Sequence, residues 1–224
     1  MNIYHLDKIA LRFSTNVAQL LNGLTTNTLD CPRNAFVTVH GRIVATFDQV
    51  KISDDEFFVI IEKLFYDSLR QHIDQFLKLN KTKVETGGEN VYFDLNGDAP
   101  VEAGDFVVPQ KFGRLLVTAR RLKANVSEEE FLLFRLRHNI PVHGIDYHDE
   151  MLLNVNDEEF VSYTKGCFLG QEPIAKVHNR SKPTWKLVVR CEDELTDEEK
   201  LKMTSRVKDP KTGRIQGFVF VRNF

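Results

Sequence analysis

The run Lys165-Gly166-Cys167-Phe168-Leu169-Gly170-Gln171-Glu172 concentrates more chemistry than any other part of the chain. A lysine stands two residues before a cysteine, glycines flank the thiol, and an amide and a carboxylate follow. Pro173 suits the first turn of a helix running on toward His178, because that turn needs no donor from its own N–H groups. A thiol just ahead of a helix N-terminus and beside an ammonium has its thiolate favoured by the dipole and by the charge. The spacing therefore points to a reactive or ligating Cys167, with Lys165 lowering its pKa. The alternative is a small buried residue in a tight glycine turn.

Other candidate groups carry weaker signals. Lys176, His178, Arg180, Lys182 and Lys186 form a locally basic segment that could hold an anionic ligand or an RNA backbone. The same segment also reads as a solvated helix face, neutralised by the acidic run at 192–199. His138, His143 and His148 recur every five residues with Pro141 between them, which is loop spacing and not the three- or four-residue spacing of helical metal ligands. The three cysteines are an odd number without a CxxC pair, which argues against a disulfide framework or a structural zinc site. Cys31 and Cys191 have no ligand types beside them and read as structural.

These groups must be positioned by alternating strands and helices. Residues 15–22 predict a short helix with Gly23 as its stop. Residues 35–40 and 43–50 predict paired strands about Gly41, and 57–61 a third. Phe65, Leu69, Ile73, Phe76 and Leu77 recur at helical spacing over 64–79. Short strands follow at 83–85, 91–95, 106–108 and 114–118. Ser127-Glu128-Glu129-Glu130 is a capping box that starts a helix through Phe131 and Leu136, ended before Pro141. Residues 144–164 read as loop with a helical turn near 157–161. Residues 185–190 and 213–221 read as strands, with a second capping box at Thr196-Asp197-Glu198-Glu199. The pattern predicts an α+β core over 1–182. Residues 183–224 form a short β-rich segment, too small for its own core, docked on the body through Trp185.

Composition sets the outer limits. The 224 residues are 42% hydrophobic and 28% charged, ordinary globular proportions that exclude a disordered or low-complexity chain. With 30 Lys plus Arg against 32 Asp plus Glu the net charge is −2, so nothing global attracts nucleic acid. The N-terminus lacks the apolar run of a signal peptide and the Arg/Ser-rich character of a transit peptide. No apolar run approaches the roughly 18 residues of a membrane span. The expectation is a cytoplasmic protein, or a mitochondrial one if a transit segment has been trimmed.

The residues from Tyr163 to Glu172 resemble the signature K-G-C-aromatic-x-G-Q-E of the YgfZ/Iba57 family, folate-binding relatives of the glycine-cleavage T-protein, an aminomethyltransferase. Leu20-Leu21-Asn22-Gly23-Leu24-Thr25-Thr26-Asn27 is similar to the family's leucine-rich segment ending in Thr-Asn. Gly41-Arg42-Ile43, and Ile140-Pro141-Val142 with Gly144 and Asp146, match further stretches, so the resemblance spans roughly residues 5–190. It implies an aminomethyltransferase folate-binding-like core with a shortened C-terminal β segment, and tetrahydrofolate or a derivative in a central cavity. The implied role is support of iron–sulfur cluster assembly or repair, and through it tRNA modification, with assembly or client proteins as partners. Carried over by position, Cys167 and Lys165 are the reactive pair. Asn27, Arg137, Tyr163, Gly166, Gly170, Gln171 and Glu172 surround the cofactor, Asn27 and Arg137 lining the cavity and the glycines turning backbone N–H groups toward it. No metal site is implied.

Departures from the family pattern bear on activity. The positions aligned with the T-protein catalytic aspartate are Ala45 and Thr46, and the nearest acid is Asp48. Without an anion there, aminomethyl transfer lacks its electrostatic and proton-handling partner, which favours an accessory protein over an enzyme. Arg137-His138-Asn139 stand where the family reads Glu-Ala-Gly. A carboxylate accepts hydrogen bonds from a pterin edge, whereas Arg137 can only donate. Two other functions stay open: a one-carbon folate transferase using Asp48, and a folate-free module binding RNA or protein through Lys176, Arg180 and Lys182.

Overall fold

A computed structural model describes residues 1–223, the side chain of residue 157 excepted. The first half runs β1 (Ile3–Leu6), β2 (Lys8–Ser14), α1 (Val17–Leu24), β3 (Arg33–Val37), β4 (Ile43–Ser53), β5 (Glu56–Glu62), α2 (Tyr66–Asn80) and β6 (Lys83–Thr86). The second runs β7 (Asn90–Asp94), β8 (Phe106–Pro109), β9 (Arg114–Thr118), α3 (Glu128–Arg137), α4 (Asp157–Phe160) and α5 (Gln171–Arg180). It closes with β10 (Trp185–Cys191), α6 (Asp197–Leu201), β11 (Thr204–Lys208) and β12 (Ile215–Arg222). The architecture is α+β. No described helix is long and apolar enough to cross a membrane.

An antiparallel five-stranded sheet in the order β3-β4-β5-β2-β6 is the centre of the molecule. Both of its faces are covered, which is why β5 reads as an unbroken apolar run rather than an alternation. Phe57, Val59 and Ile61 face α1 and α2 together with Leu11, Phe13, Leu69 and Ile73. Phe58 and Ile60 face the other way, into a core shared with Val91, Phe93, Leu115, Val117 and Phe131. That second core is closed by the four-stranded sheet β1-β7-β9-β8 and by α3.

The N-terminal strands β1 and β2 and the late strand β11 lie where the sequence pattern marked no element. Each is short and interrupted by charge or polar residues, so its identity comes from the ladder it joins. Helix α1 runs one residue past Gly23, because the Thr25 N–H still bonds Leu21 O at 2.9 Å. Both capping boxes form as the sequence predicts, Ser127 with Glu130 and Thr196 with Glu199.

The C-terminal sheet β10-β12-β11 packs on the body through Leu187 and Phe218, which share a core with Ala35, Val37, Leu136 and Tyr147. Trp185, expected to make that contact, is instead 44% exposed at the start of β10. Leu187, two positions on and therefore on the same face of β10, is the residue of that face that the body covers, while Trp185 stands at the open end of the strand. The sequence pattern has the acidic run 192–199 neutralising the basic segment 176–186, the first part of which lies on α5. Its acids pair elsewhere: Glu192 with Arg206, Asp193 and Glu194 with Arg214, and Asp197 with Lys200.

Candidate functional site

A cavity of about 320 Å³ opens between the two large sheets, α3 and the 140–147 loop. Aromatic side chains form much of its wall, among them Tyr4, Phe93, Phe131 and Phe160. Tyr4 stacks on Phe131 with ring centres 4.1 Å apart. Charged groups meet on its sheet side. Lys8, at the start of β2, places its ammonium 3.0 Å from Asp48 Oδ2 and 3.0 Å from Glu62 Oε1. Arg33 on β3 approaches Asp48 Oδ1 at 3.7 Å and bonds Glu159. Gln110, from the β8–β9 turn, donates Nε2 to Asp48 Oδ1 at 3.0 Å.

The register of the central sheet brings these groups together. Asp48 on β4 is paired with Arg33 on β3 and with Ile60 on β5, and Lys8 on β2 is paired with Glu62 on β5. Thr46 stands two residues before Asp48 and therefore on the same face. Its Oγ1 lies 2.7 Å from the Tyr147 hydroxyl. Burial works against the Lys8 charge, but Glu62 and Asp48 outweigh it and hold the ammonium above the ordinary lysine range. Burial likewise opposes the Arg33 charge, and Asp48 and Glu159 prevail. Burial pushes the Tyr147 phenol up to about 12, so it is a neutral hydroxyl.

Two further groups line the cavity from α3 and the loop after it. Arg135 bonds Asp146 and donates Nε to Ile140 O at 3.1 Å, which fixes the loop that Pro141 begins. His143 is 3% exposed and stacked face to face on Phe65 at 3.6 Å. Its Nε2 sits 3.0 Å from His148 O, and burial brings its pKa down to about 3, so the ring is neutral.

The residues that the sequence nominated lie elsewhere. Arg137, expected in the cavity, points toward Asp209 at 3.8 Å and its side chain is 45% exposed. Two residues are about 200° apart around a helix, so when Arg135 faces in, Arg137 faces out. Asn27 is buried but outside the cavity lining, donating Nδ2 to Arg33 O at 3.1 Å and to Glu159 O at 2.9 Å. It supports Arg33 through the backbone.

The 163–172 motif forms an exposed loop and the start of α5, away from the cavity lining. Cys167 is exposed. Lys165 turns inward, donating Nζ to Thr25 O at 2.6 Å and to Asn27 O at 2.8 Å. Burial lowers its pKa to about 8. Its ammonium thus pins the motif loop to the end of α1 instead of being dedicated to the thiol. Tyr163 stacks on His178 at 3.6 Å, and Gln171 and Glu172 open α5. Gly170, at φ +82°, sits where a Cβ would lie 2.3 Å from Thr38 O. It allows a close approach of backbone to the β3–β4 hairpin. Gly166 has nothing within 4 Å of a Cβ position, so no neighbour in the fold demands its size. Lys176 and Arg180 are exposed on α5, and Lys182 follows; among the described residues none of the three pairs with an acid.

Lys8, Arg33, Glu62, Gln110, Arg135 and His143 are cavity residues that sequence reasoning did not nominate for the site. Asp48 entered as the nearest acid and as the residue an alternative one-carbon transferase would use. Cys191 does have neighbours: its sulfur lies within 4.8 Å of the Asp193 and Glu194 carboxylates, the one such metal-ligand grouping among the described residues. Arg214 already bonds both acids, at 2.5 and 2.8 Å.

No protein-family model matches the chain, and no curated protein matches it. Among solved structures, the chain is similar to the glycine cleavage system aminomethyltransferase T from Bartonella henselae, with a TM-score of 0.74 over 99% of this chain and 78% of that one, at 9% identity. At that identity the likeness is one of fold. The α+β class and the aminomethyltransferase-type architecture follow from it.

Proposed function

We propose, from this aminomethyltransferase T architecture, that the chain binds a reduced folate in the central cavity and acts as an accessory factor for iron–sulfur cluster assembly or repair, with Cys167 as its working thiol. The observation that carries the reading is the aromatic-walled cavity at the centre of the fold. At about 320 Å³ it suits the bicyclic head of a folate, at the lower end of the roughly 300–1,000 Å³ usual for ligand pockets. Tyr4 and Phe131 offer ring faces, and the Tyr147 hydroxyl and Gln110 amide offer polar contacts. The glutamate tail does not fit in the same volume and lies outside.

An accessory role is favoured over aminomethyl transfer by the state of Asp48. One of its oxygens is engaged by Lys8 and the other by Gln110, so a reacting nitrogen would share a carboxylate already held by two donors. The exposed Cys167, on a loop that Lys165 and Gly170 hold in place, is accessible to a partner protein. Calorimetric titration of tetrahydrofolate into the purified protein tests the ligand, and micromolar binding is expected. In the host, Cys167→Ala is expected to lower iron–sulfur enzyme activities as deletion does. Activities unchanged in Cys167→Ala but lowered on deletion would sink the thiol role.

A second reading rests on the unneutralised cations Lys176, Arg180 and Lys182: a binding module that engages RNA through this face. It predicts association that weakens steeply with salt and on charge reversal at the three positions. Binding insensitive to salt would remove it.

A further inference from the structure

Gln110 belongs to the short turn between β8 and β9 and reaches the cavity from it. The turn is held on both sides. The Gln110 N–H donates to Gly113 O at 3.3 Å. Gly113, at φ +71°, packs where a Cβ would lie 2.6 Å from Asp94 O, a place only glycine fills. Phe112 stacks on His138 with centres 4.0 Å apart. The Gln110 side chain is thus delivered to one place, beside Asp48.

A primary amide has a donor end and an acceptor end, and its orientation is decided by its partners. Asp48 decides it here. As a carboxylate flanked by Lys8 and Arg33 it only accepts, so the Gln110 amide must present Nε2 to it, at 3.0 Å. Oε1 is then the end that remains, without a partner among the described residues. We infer that Gln110 is a specificity-determining residue of the cavity. Its Oε1, held in orientation by Asp48, accepts from the N–H or amino edge of a flat heteroaromatic ring lying against the aromatic wall. The inference deepens the ligand reading above. It supplies the acceptor that Arg137 cannot, from a different element.

The lock makes a sharp prediction. In Asp48→Asn the oxygen of the new amide stays with Lys8, which at 3.0 Å is closer than Arg33 at 3.7 Å. The new Nδ2 then faces Gln110, whose Oε1 must turn to accept from it. The cavity now receives Nε2, a donor, and its preference between ring edges reverses.

The experiment uses the full chain with three probes: tetrahydrofolate, 2-amino-4-oxopteridine (a donor edge) and 2,4-dimethoxypteridine (an acceptor edge of similar shape). Affinities are measured for the natural protein, Gln110→Leu and Asp48→Asn. The natural protein is expected to favour the amino-oxo ring roughly tenfold, the worth of one buried hydrogen bond. Gln110→Leu, in a surface turn, is expected to bring the two rings within about threefold, and Asp48→Asn to invert their order. An unchanged preference in Gln110→Leu overturns the inference while tetrahydrofolate binding keeps the folate reading. A preference that collapses and inverts as expected, without tetrahydrofolate binding, upholds Gln110 and removes folate. No binding of any ring by the natural protein overturns both.

Discussion

His143 shows how one side chain can carry a pH dependence for the whole protein. Stacked on Phe65 and held by His148 O, it has a pKa near 3 in the folded chain against 6.5 for an ordinary histidine. Between those values the unfolded chain binds the proton and the folded one does not, so stability rises with pH. The contribution is fully present above pH 6.5 and is lost as pH falls toward 3. Denaturant unfolding from pH 7 to 4 is expected to show this slope, and His143→Phe, which keeps the stack, to reduce it by about one proton. Lys165 works with the same sign at the alkaline end: its burial makes stability rise between pH 8 and 10.5. The three thiols are separable by exposure. A maleimide is expected to label Cys167 in the folded protein well before the half-buried Cys31 and Cys191, an order that mass spectrometry of timed samples would read. The chemistry of the Lys165–Cys167 spacing was legible in the sequence, but the direction of Lys165 was not. Its two acceptors are backbone carbonyls about 140 positions away, and sequence spacing carries no signal for them.

At the scale of elements, local rules served best where an element is built from its own residues. The Ser127 and Thr196 boxes depend on groups three positions apart, and both form. Ser127→Ala is expected to cost about 1 kcal/mol in thermal or denaturant unfolding, within the usual range for a lost N-cap. The two motif glycines make a contrasting pair. Gly170→Ala meets both a left-handed backbone and the Thr38 carbonyl, and is expected to cost more than about 3 kcal/mol. Gly166→Ala meets open space, and its effect is expected within about 0.5 kcal/mol. A strand such as β2 was harder to see. Lys8 and Arg12 interrupt its apolar pattern, and they belong there because Glu62 and Glu56, on the partner strand β5, pair with them.

Across the whole molecule, Asp146 joins three parts of the chain. One oxygen bonds Arg135 on α3 and the Val142 N–H, and the other accepts from Thr204 and Ser205 on β11. Both members of the ion pair are buried. Removing one partner leaves a charge uncompensated, so Asp146→Ala is expected to cost about 3–5 kcal/mol. Its signature is early proteolytic release of the segment from 183 onward, because that segment otherwise holds the body mainly through Leu187 and Phe218. Cleavage at the rate of the natural protein would show that the apolar contacts suffice.

The sequence by itself determined the α+β class, the helices with their caps, most of the strands and the thiol motif. Each of these is written in residues a few positions apart, through periodicity, capping or turn chemistry. Only the tertiary structure decided the cavity. Lys8, Arg33, Asp48, Glu62, Gln110, Arg135 and His143 come from four strands, two turns and one helix, and each alone looks like a solvated polar residue. A charge can be buried only where a partner meets it, and here the partners lie on neighbouring strands or across a turn from another sheet. Which polar residues turn inward was therefore settled by strand register and helix phase, and neither can be read from one strand or one helix alone.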